Sequence, residues 1–110
     1  MEYSLQHYQQ IFSHTGRKQL DRRSLPSPIQ YLTERSLMKS KTYSEWVSIC
    51  CPAHKGGTEK KPSLRVNLID GHFRCMSCGV RGGDVISLHR LITGLGFLNA
   101  VRDIGGRFHD

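Results

Sequence analysis

Acidic residues are scarce in this chain of 110 residues: 9 Asp and Glu stand against 16 Lys and Arg, a formal charge of +7. Long apolar runs are also absent, since no stretch approaches the roughly 20 apolar residues that cross a bilayer. The N-terminal sequence lacks the basic and then apolar order of a signal peptide. We therefore expect a cytoplasmic protein with no membrane partner, and the excess of positive charge favours a polyanionic partner such as nucleic acid.

Apolar and aromatic side chains are also few, at 37% and 8% of the residues. A core built from them is small, and small domains often need a metal or a crosslink for stability. The scarcity of carboxylates argues against a self-sufficient polymerase or nuclease, which gathers several of them around magnesium. We therefore expect a binding module that is not an enzyme on its own. The aspartates are assigned to a linker, a turn, a helix cap, a helix surface and the C-terminus: Asp21, Asp70, Asp84, Asp103 and Asp110.

The sequence divides near residue 45 into an N-terminal extension, 1–44, and a second domain, 45–110. Apolar residues at helical spacing before Gly16 predict a short helix, and the basic stretch Arg17–Ser24 predicts a linker. A second helix is expected after Ser27, because Pro28 and Gln30 complete a capping pattern. Its apolar side would hold Ile29, Leu32 and Leu37.

From Trp46 to Cys51 the pattern alternates, which predicts a strand with Val47, Ile49 and Cys51 on one face. A second strand is expected at Ser63–Ile69, followed by a two-residue turn at Asp70 and Gly71. The return strand then places Val66 opposite Cys75. On this register the buried face holds Leu64, Val66, Leu68, Phe73 and Cys75, and the outer face holds Arg65, Asn67, His72 and Arg74.

Two short helices are predicted to end the domain. The first begins after Asp84 and is closed by Gly94, and the second carries a stripe from Phe97 to Ile104 closed by Gly105. A loop, 79–83, is expected before them, and its last two residues, Gly82 and Gly83, are interpreted as a plain turn in preference to a phosphate-binding turn. The predicted fold class is a small α+β domain: a zinc ribbon with an antiparallel hairpin, two short helices after it and a helical segment before it.

Two pairs of potential metal ligands have two-residue spacing: Cys51 with His54, and Cys75 with Cys78. Each chain reversal can offer both of its ligands to one metal, and three sulfurs with one nitrogen suit tetrahedral zinc. Four protein ligands leave no open position for a catalytic water. We therefore predict one structural Zn²⁺ per chain, which would stabilise the small core.

Other uses of the cysteines are less favoured. Two disulfides would need an oxidising compartment, and a redox Cys-x-x-Cys normally opens a helix, whereas Cys78 precedes a glycine-rich loop. Cys50 is a weaker ligand candidate than Cys51, because it faces the other side of the strand. The remaining histidines lack ligand spacing and are assigned no role: His7, His14, His89 and His109.

Four segments together resemble the N-terminal zinc-ribbon domain of bacterial and phage DNA primases. They are Cys51–His54, Lys61–Val66, Phe73–Gly79 and Gly83–Leu88, in that order. The resemblance covers residues 45–106 and implies one zinc and engagement of single-stranded template during primer initiation. It does not cover a polymerase core or a helicase-binding region. It therefore implies a recognition role in DNA replication, with a separate primase catalytic subunit or a helicase as partner, in a phage or plasmid system.

The residues themselves predict a positive surface beside the metal, formed by Lys55, Lys60, Lys61, Arg65 and Arg74. His72 is a candidate stacking partner for bases, and Trp46 is assigned either to that role or, by preference, to the core. The leading hypothesis is a single-stranded DNA-binding module. The alternative is a zinc-ribbon adaptor that binds a protein and has no affinity for nucleic acid.

Overall fold

The computed structural model describes residues 19–38, 44–53 and 61–109, so the helix predicted before Gly16 lies outside the described residues. The described chain is a small α+β fold with two antiparallel sheets. Its strands are β1 (Gln19–Asp21), β2 (Trp46–Ile49), β3 (Leu64–Asn67), β4 (Phe73–Cys75), β5 (Arg81–Gly82) and β6 (Arg107–His109). Its α-helices are α1 (Pro28–Glu34), α2 (Val85–Thr93) and α3 (Phe97–Asp103), and a 3₁₀ turn spans Arg22–Ser24. One sheet has the order β2-β3-β4-β5, and the other pairs β1 with β6.

Helix α1 begins as the sequence predicts. The Ser27 hydroxyl accepts a hydrogen bond from the Gln30 N–H at 3.0 Å, and Pro28 occupies the first turn. The apolar face differs from the prediction, because Ile29 is 49% exposed whereas Tyr31 and Leu32 are buried. The buried positions are Pro28 and those three and four residues after it, which form one stripe along the helix.

Residues 19–24 form regular structure and not the predicted linker. Leu20 on β1 lies opposite Phe108 on β6, and the Ser24 hydroxyl accepts a hydrogen bond from the Arg107 N–H at 2.8 Å. Leu20 and Phe108 both pack against the buried cluster that contains Val101. The pairing joins distant parts of the chain, so the local basic pattern of this segment did not reveal it.

The core lies between the inner face of the larger sheet, α1 and α2. Tyr31 and Leu32 of α1 belong to the same buried cluster as Leu64, Val66 and Leu88. The described part of the N-terminal extension is therefore packed on the ribbon. The division at residue 45 stays a prediction.

The hairpin of β3 and β4 differs in register from the prediction. Val66 lies opposite Phe73, and Leu64 lies opposite Cys75. The Asn67 N–H donates to the carbonyl of His72 at 2.8 Å, which leaves a loop of four residues, 68–71. The Asn67 side chain stabilises that loop, because its Oδ1 accepts from the N–H groups of Ile69 and Asp70 at 2.9 and 3.2 Å.

A shift of two residues keeps every side chain on its predicted face, because the side-chain period of a strand is two. Leu64, Val66, Phe73 and Cys75 are buried as expected. Asn67 differs in burial and not in face, since it is only 6% exposed although it lies on the outer face. Its amide is enclosed by the loop that it holds.

The segment before α2 is also more regular than predicted, because β5 extends the sheet with Gly82 opposite Phe73. Helix α2 is confirmed: the Asp84 carboxylate accepts from the Ser87 N–H at 2.9 Å, and Gly94 closes the helix with a φ of 79°. Helix α3 is confirmed with Ala100 and Val101 buried. Among the described residues, no helix has the length and apolar character that crossing a membrane requires.

Candidate metal centre and arginine face

Three cysteine sulfurs meet at one end of the larger sheet. The Sγ atoms of Cys51, Cys75 and Cys78 all lie within 4.8 Å of one another, and those of Cys51 and Cys78 are 3.9 Å apart. No disulfide joins any of the four cysteines, all of which are described. The cluster contains Cys51 and not Cys50. His54 lies outside the described residues, so its place as fourth ligand stays a prediction.

The antiparallel strands bring Cys51 close to the pair Cys75 and Cys78. Ile49, Leu64 and Cys75 lie side by side across β2, β3 and β4. Cys51 is two residues beyond Ile49, and both side chains are buried on the inner face. The end of β2 therefore delivers Cys51 beside the end of β4, which delivers Cys75.

Backbone N–H groups point at the sulfurs in both chain reversals. The N–H groups of Ser77 and Cys78 lie 3.3 and 3.4 Å from the Cys75 Sγ, and that of Ala53 lies 3.4 Å from the Cys51 Sγ. Gly79 ends the second reversal with a φ of 81°, in the left-handed region that glycine adopts without strain. These donors stabilise negative charge on sulfur, as a metal thiolate requires.

The electrostatics of the cluster favour a cation. Burial raises the pKa of the Cys51 thiol to about 11, and the neighbouring sulfurs of Cys75 and Cys78 contribute to that increase. Three thiolates at this separation would repel one another strongly without a positive charge among them. Sulfur ligands suit zinc, so the donor set fits that metal. The Ser63 hydroxyl, which sequence reasoning did not single out, lies 3.3 Å from the Cys75 Sγ.

The sequence profile of the CHC2 zinc finger, the zinc ribbon of DnaG, matches residues 19–109. This chain belongs to the CHC2 zinc finger family. The resemblance stated from the sequence is thereby confirmed, and zinc is the metal of this CHC2 zinc finger. The matched range includes β1 and α1, which the resemblance in the sequence did not cover.

Curated relatives of this CHC2 zinc finger include DNA primases of Mycobacterium bovis and Mycobacterium tuberculosis. Each is 40% identical over 57 residues, which are 52% of this chain and 8% of the primase. The chain thus spans less than a tenth of the length of these relatives. No solved structure matches it.

A row of arginines crosses the outer face of the same sheet. Arg65 on β3 lies opposite Arg74 on β4, which lies opposite Arg81 on β5. All three are exposed, and no carboxylate of the described residues forms an ion pair with them. We call these residues the arginine row. Sequence reasoning found Arg65 and Arg74 but missed Arg81, because the glycines around it indicated a loop.

Trp46 lies on this outer face and not in the core, which corrects the preferred sequence interpretation. Its ring meets that of His72 edge-on with the centroids 4.9 Å apart, and the Arg65 guanidinium carbon lies 5.4 Å from the Trp46 ring centre. His72 donates its backbone N–H to the Asp70 carboxylate at 2.9 Å and contacts it through Nδ1. These hydrogen bonds lower the pKa of Asp70. One end of the arginine row is thus held by aromatic contacts.

The lysines assigned to the positive surface are only partly described. Lys61 is exposed three residues before β3. Lys55 and Lys60 lie outside the described residues, as does half of the loop between β2 and β3. Of the predicted DNA contacts, the structure therefore brings Arg65, Arg74 and His72 onto one face.

Proposed function

We propose that this chain is the zinc-binding part of a DNA primase system, and that the outer face of its larger sheet binds single-stranded template during primer initiation. The arginine row is the observation that carries the proposal. Like charges directly opposite one another destabilise a sheet, so three adjacent arginines are best explained by an anionic partner. A phosphate backbone crossing the strands would neutralise them in succession.

The contacts around the first arginine support binding of a single strand in particular. Trp46 holds the Arg65 guanidinium over its ring, which reduces the entropy lost when that group binds a phosphate or stacks on a base. Unpaired bases stack on aromatic rings and on guanidinium planes, whereas those of a duplex are already stacked on each other. Lys55, Lys60, Lys61 and His72 would extend the same surface.

The metal has a structural role in this proposal. Cys51, His54, Cys75 and Cys78 would hold one zinc, and four protein ligands leave it no open position for chemistry. The bound ion would hold the ends of β2 and β4 in place. It would thereby fix the spacing between Arg65 on β3 and Arg74 on β4. A structural zinc supplies on the order of 10 kcal/mol, which is large beside the stability of a small core.

We propose no primer synthesis by this chain alone. Each described aspartate already has a structural contact: Asp21 with Arg23, Asp70 with His72, Asp84 with Arg22, and Asp103 with His89. The polymerase core would belong to a separate catalytic subunit or to a further part of the same protein, with a helicase as a second candidate partner. A phage or plasmid replication system in the cytoplasm would suit such a module.

The test is fluorescence anisotropy with labelled single-stranded and double-stranded oligonucleotides at several salt concentrations. We expect the zinc-loaded protein to prefer the single strand, and the R65A/R74A double variant to lose affinity and to show a shallower salt dependence. An R102A/R107A double variant is the control, because it removes the same charge from exposed positions outside the larger sheet. Absence of binding at low salt would reject the proposal.

One observation favours the alternative of a protein-binding adaptor. Phe97 and Leu98, adjacent on α3, are 43% and 52% exposed, and Phe97 contacts Phe108 edge-on. Exposed apolar neighbours of this kind are common at protein interfaces. If the chain fails to bind any oligonucleotide, capture of a catalytic subunit that is lost in F97S/L98S would support this second function.

A further inference from the structure

A groove of about 380 Å³ lies between the edge of the larger sheet and α2. Its lining residues come from β4, the segment 80–81, α2 and the turn after it: Phe73, Val80, Arg81, Ser87, Arg90, Leu91, Gly94 and Leu95. This volume falls within the roughly 300–1,000 Å³ typical of small-molecule sites. No residue of the groove belongs to the metal centre or to the binding residues predicted from the sequence.

The groove combines an apolar lining with two exposed guanidinium groups. Val80, Leu91 and Leu95 are half-buried, so their side chains still offer apolar surface. Arg90 on α2 donates from Nε to the Leu95 carbonyl at 3.3 Å, which fixes the position of its guanidinium group. Arg81 on β5 lines the opposite side of the groove. Within the described chain, neither arginine forms an ion pair with a carboxylate. The matching ligand therefore has an apolar part and an anionic part.

The groove is continuous with the arginine row through Arg81. That residue lies opposite Arg74 on the sheet face and also lines the groove at the sheet edge. A phosphate chain that follows the row across β3, β4 and β5 would reach this groove next. This continuity favours nucleic acid over an acidic peptide as its occupant.

We infer that the groove accepts one unstacked nucleotide of the bound single strand, with its base against the apolar lining and its phosphate between Arg81 and Arg90. The inference rests on the proposed function, because the arginine row must first hold the strand. It adds a site at which a base, and not only the backbone, is contacted. The template position at this site would be held apart from its neighbours.

The experiment combines protein variants with oligonucleotides that lack one base. Single-stranded oligonucleotides with one abasic position, moved along the sequence, are titrated against the zinc-loaded wild type, R90A, L95A and the control R102A. We expect R90A to lower affinity for the intact strand about tenfold. Removal of the base at one position should weaken wild-type binding about 5- to 100-fold, as expected for a lost stacking contact. At that position L95A should cause no further loss.

The outcomes separate the two proposals. If wild type binds no oligonucleotide at low salt, the proposed function fails and the inference with it. If wild type binds and R65A/R74A weakens binding, but R90A and L95A match R102A and the abasic scan is flat, only the inference is overturned. NMR spectra of R90A and L95A without DNA show whether each variant keeps its fold. If one of them does not, the abasic scan with the wild-type protein, which needs no variant, decides: a flat scan overturns the inference.

Discussion

The Tyr31 hydroxyl lies 2.8 Å from the Nδ1 atom of His89, and both side chains are almost wholly buried. The other ring nitrogen of His89, Nε2, lies 2.6 Å from the Asp103 carboxylate. One histidine therefore joins α1, α2 and α3 within the core. Arg35 lies over the Tyr31 ring and 3.6 Å from the same carboxylate. This network fastens the segment before the ribbon to the helices after it.

The variant Y31F should destabilise the zinc-loaded protein by about 1–3 kcal/mol, because it leaves a buried ring nitrogen of His89 without its partner. Chemical denaturation followed by circular dichroism measures the change. I29A is a matched control on the same helix, since Ile29 is half-exposed, and it should change the stability by less than about 0.5 kcal/mol. Equal stability of Y31F and wild type would show that the hydrogen bond contributes nothing net.

Replacement of Cys75 by serine should abolish zinc binding and unfold the ribbon. The variant removes the sulfur that accepts hydrogen bonds from the N–H groups of both Ser77 and Cys78, and that meets Cys51 and Cys78. Native mass spectrometry gives the zinc content, and an ¹⁵N NMR spectrum reports the fold. C50S is the control and should keep one zinc, because Cys50 is not in the cluster. A well-dispersed spectrum from metal-free C75S would contradict a folding role for the metal.

The identity of the metal centre was predictable from the sequence because its information is local. Two-residue spacing within each pair of predicted ligands is visible along the chain, and the alternation of Val47, Ile49 and Cys51 places the first sulfur on the inner face. The caps of α1 and α2 were predictable for the same reason, since Ser27 and Asp84 bond to N–H groups three residues away. Such contacts depend on neighbours in sequence alone.

The features that were not predicted depend on contacts between residues far apart in the sequence, or on a side chain that accepts hydrogen bonds from backbone N–H groups in a loop. Asn67 holds a four-residue loop through its own amide oxygen, which moved the hairpin register by two residues. Arg81 joins the arginine row only because β5 pairs with β4. His89 has no ligand spacing, and its partners on α1 and α3 become visible only in the folded chain.

Zinc affinity should rise steeply with pH between about 6 and 8. Burial raises the pKa of the Cys51 thiol to about 11, so zinc must displace its proton on binding. In the metal-free chain the raised pKa makes the stability of the fold fall with increasing pH. The folded state favours the neutral Cys51 thiol, and this contribution to stability is lost as the pH rises through the ordinary thiol range towards 11. Competition titrations with a chromophoric chelator at several pH values measure the affinity, and calorimetric titrations in buffers of different ionisation enthalpy measure the proton release. A pH-independent affinity would contradict a thiolate centre.

The variant G82A should weaken the sheet edge that carries Arg81. A Cβ atom at Gly82 would lie 2.5 Å from the Phe73 Cζ and 2.7 Å from the Ser87 Cβ. Phe73 cannot move freely because it is in the core, and the Ser87 Cβ is fixed by the backbone of α2. We expect a loss of about 1–3 kcal/mol in stability from this overpacking. G83A is the matched control, since its Cβ would meet no atom within 4 Å, and its stability should stay close to that of wild type.

Because β5 holds Arg81 in register with Arg74, G82A should also bind single-stranded DNA more weakly than G83A under conditions where both remain folded. Equal binding by the two variants would show that the position of Arg81 does not matter to the DNA-binding face.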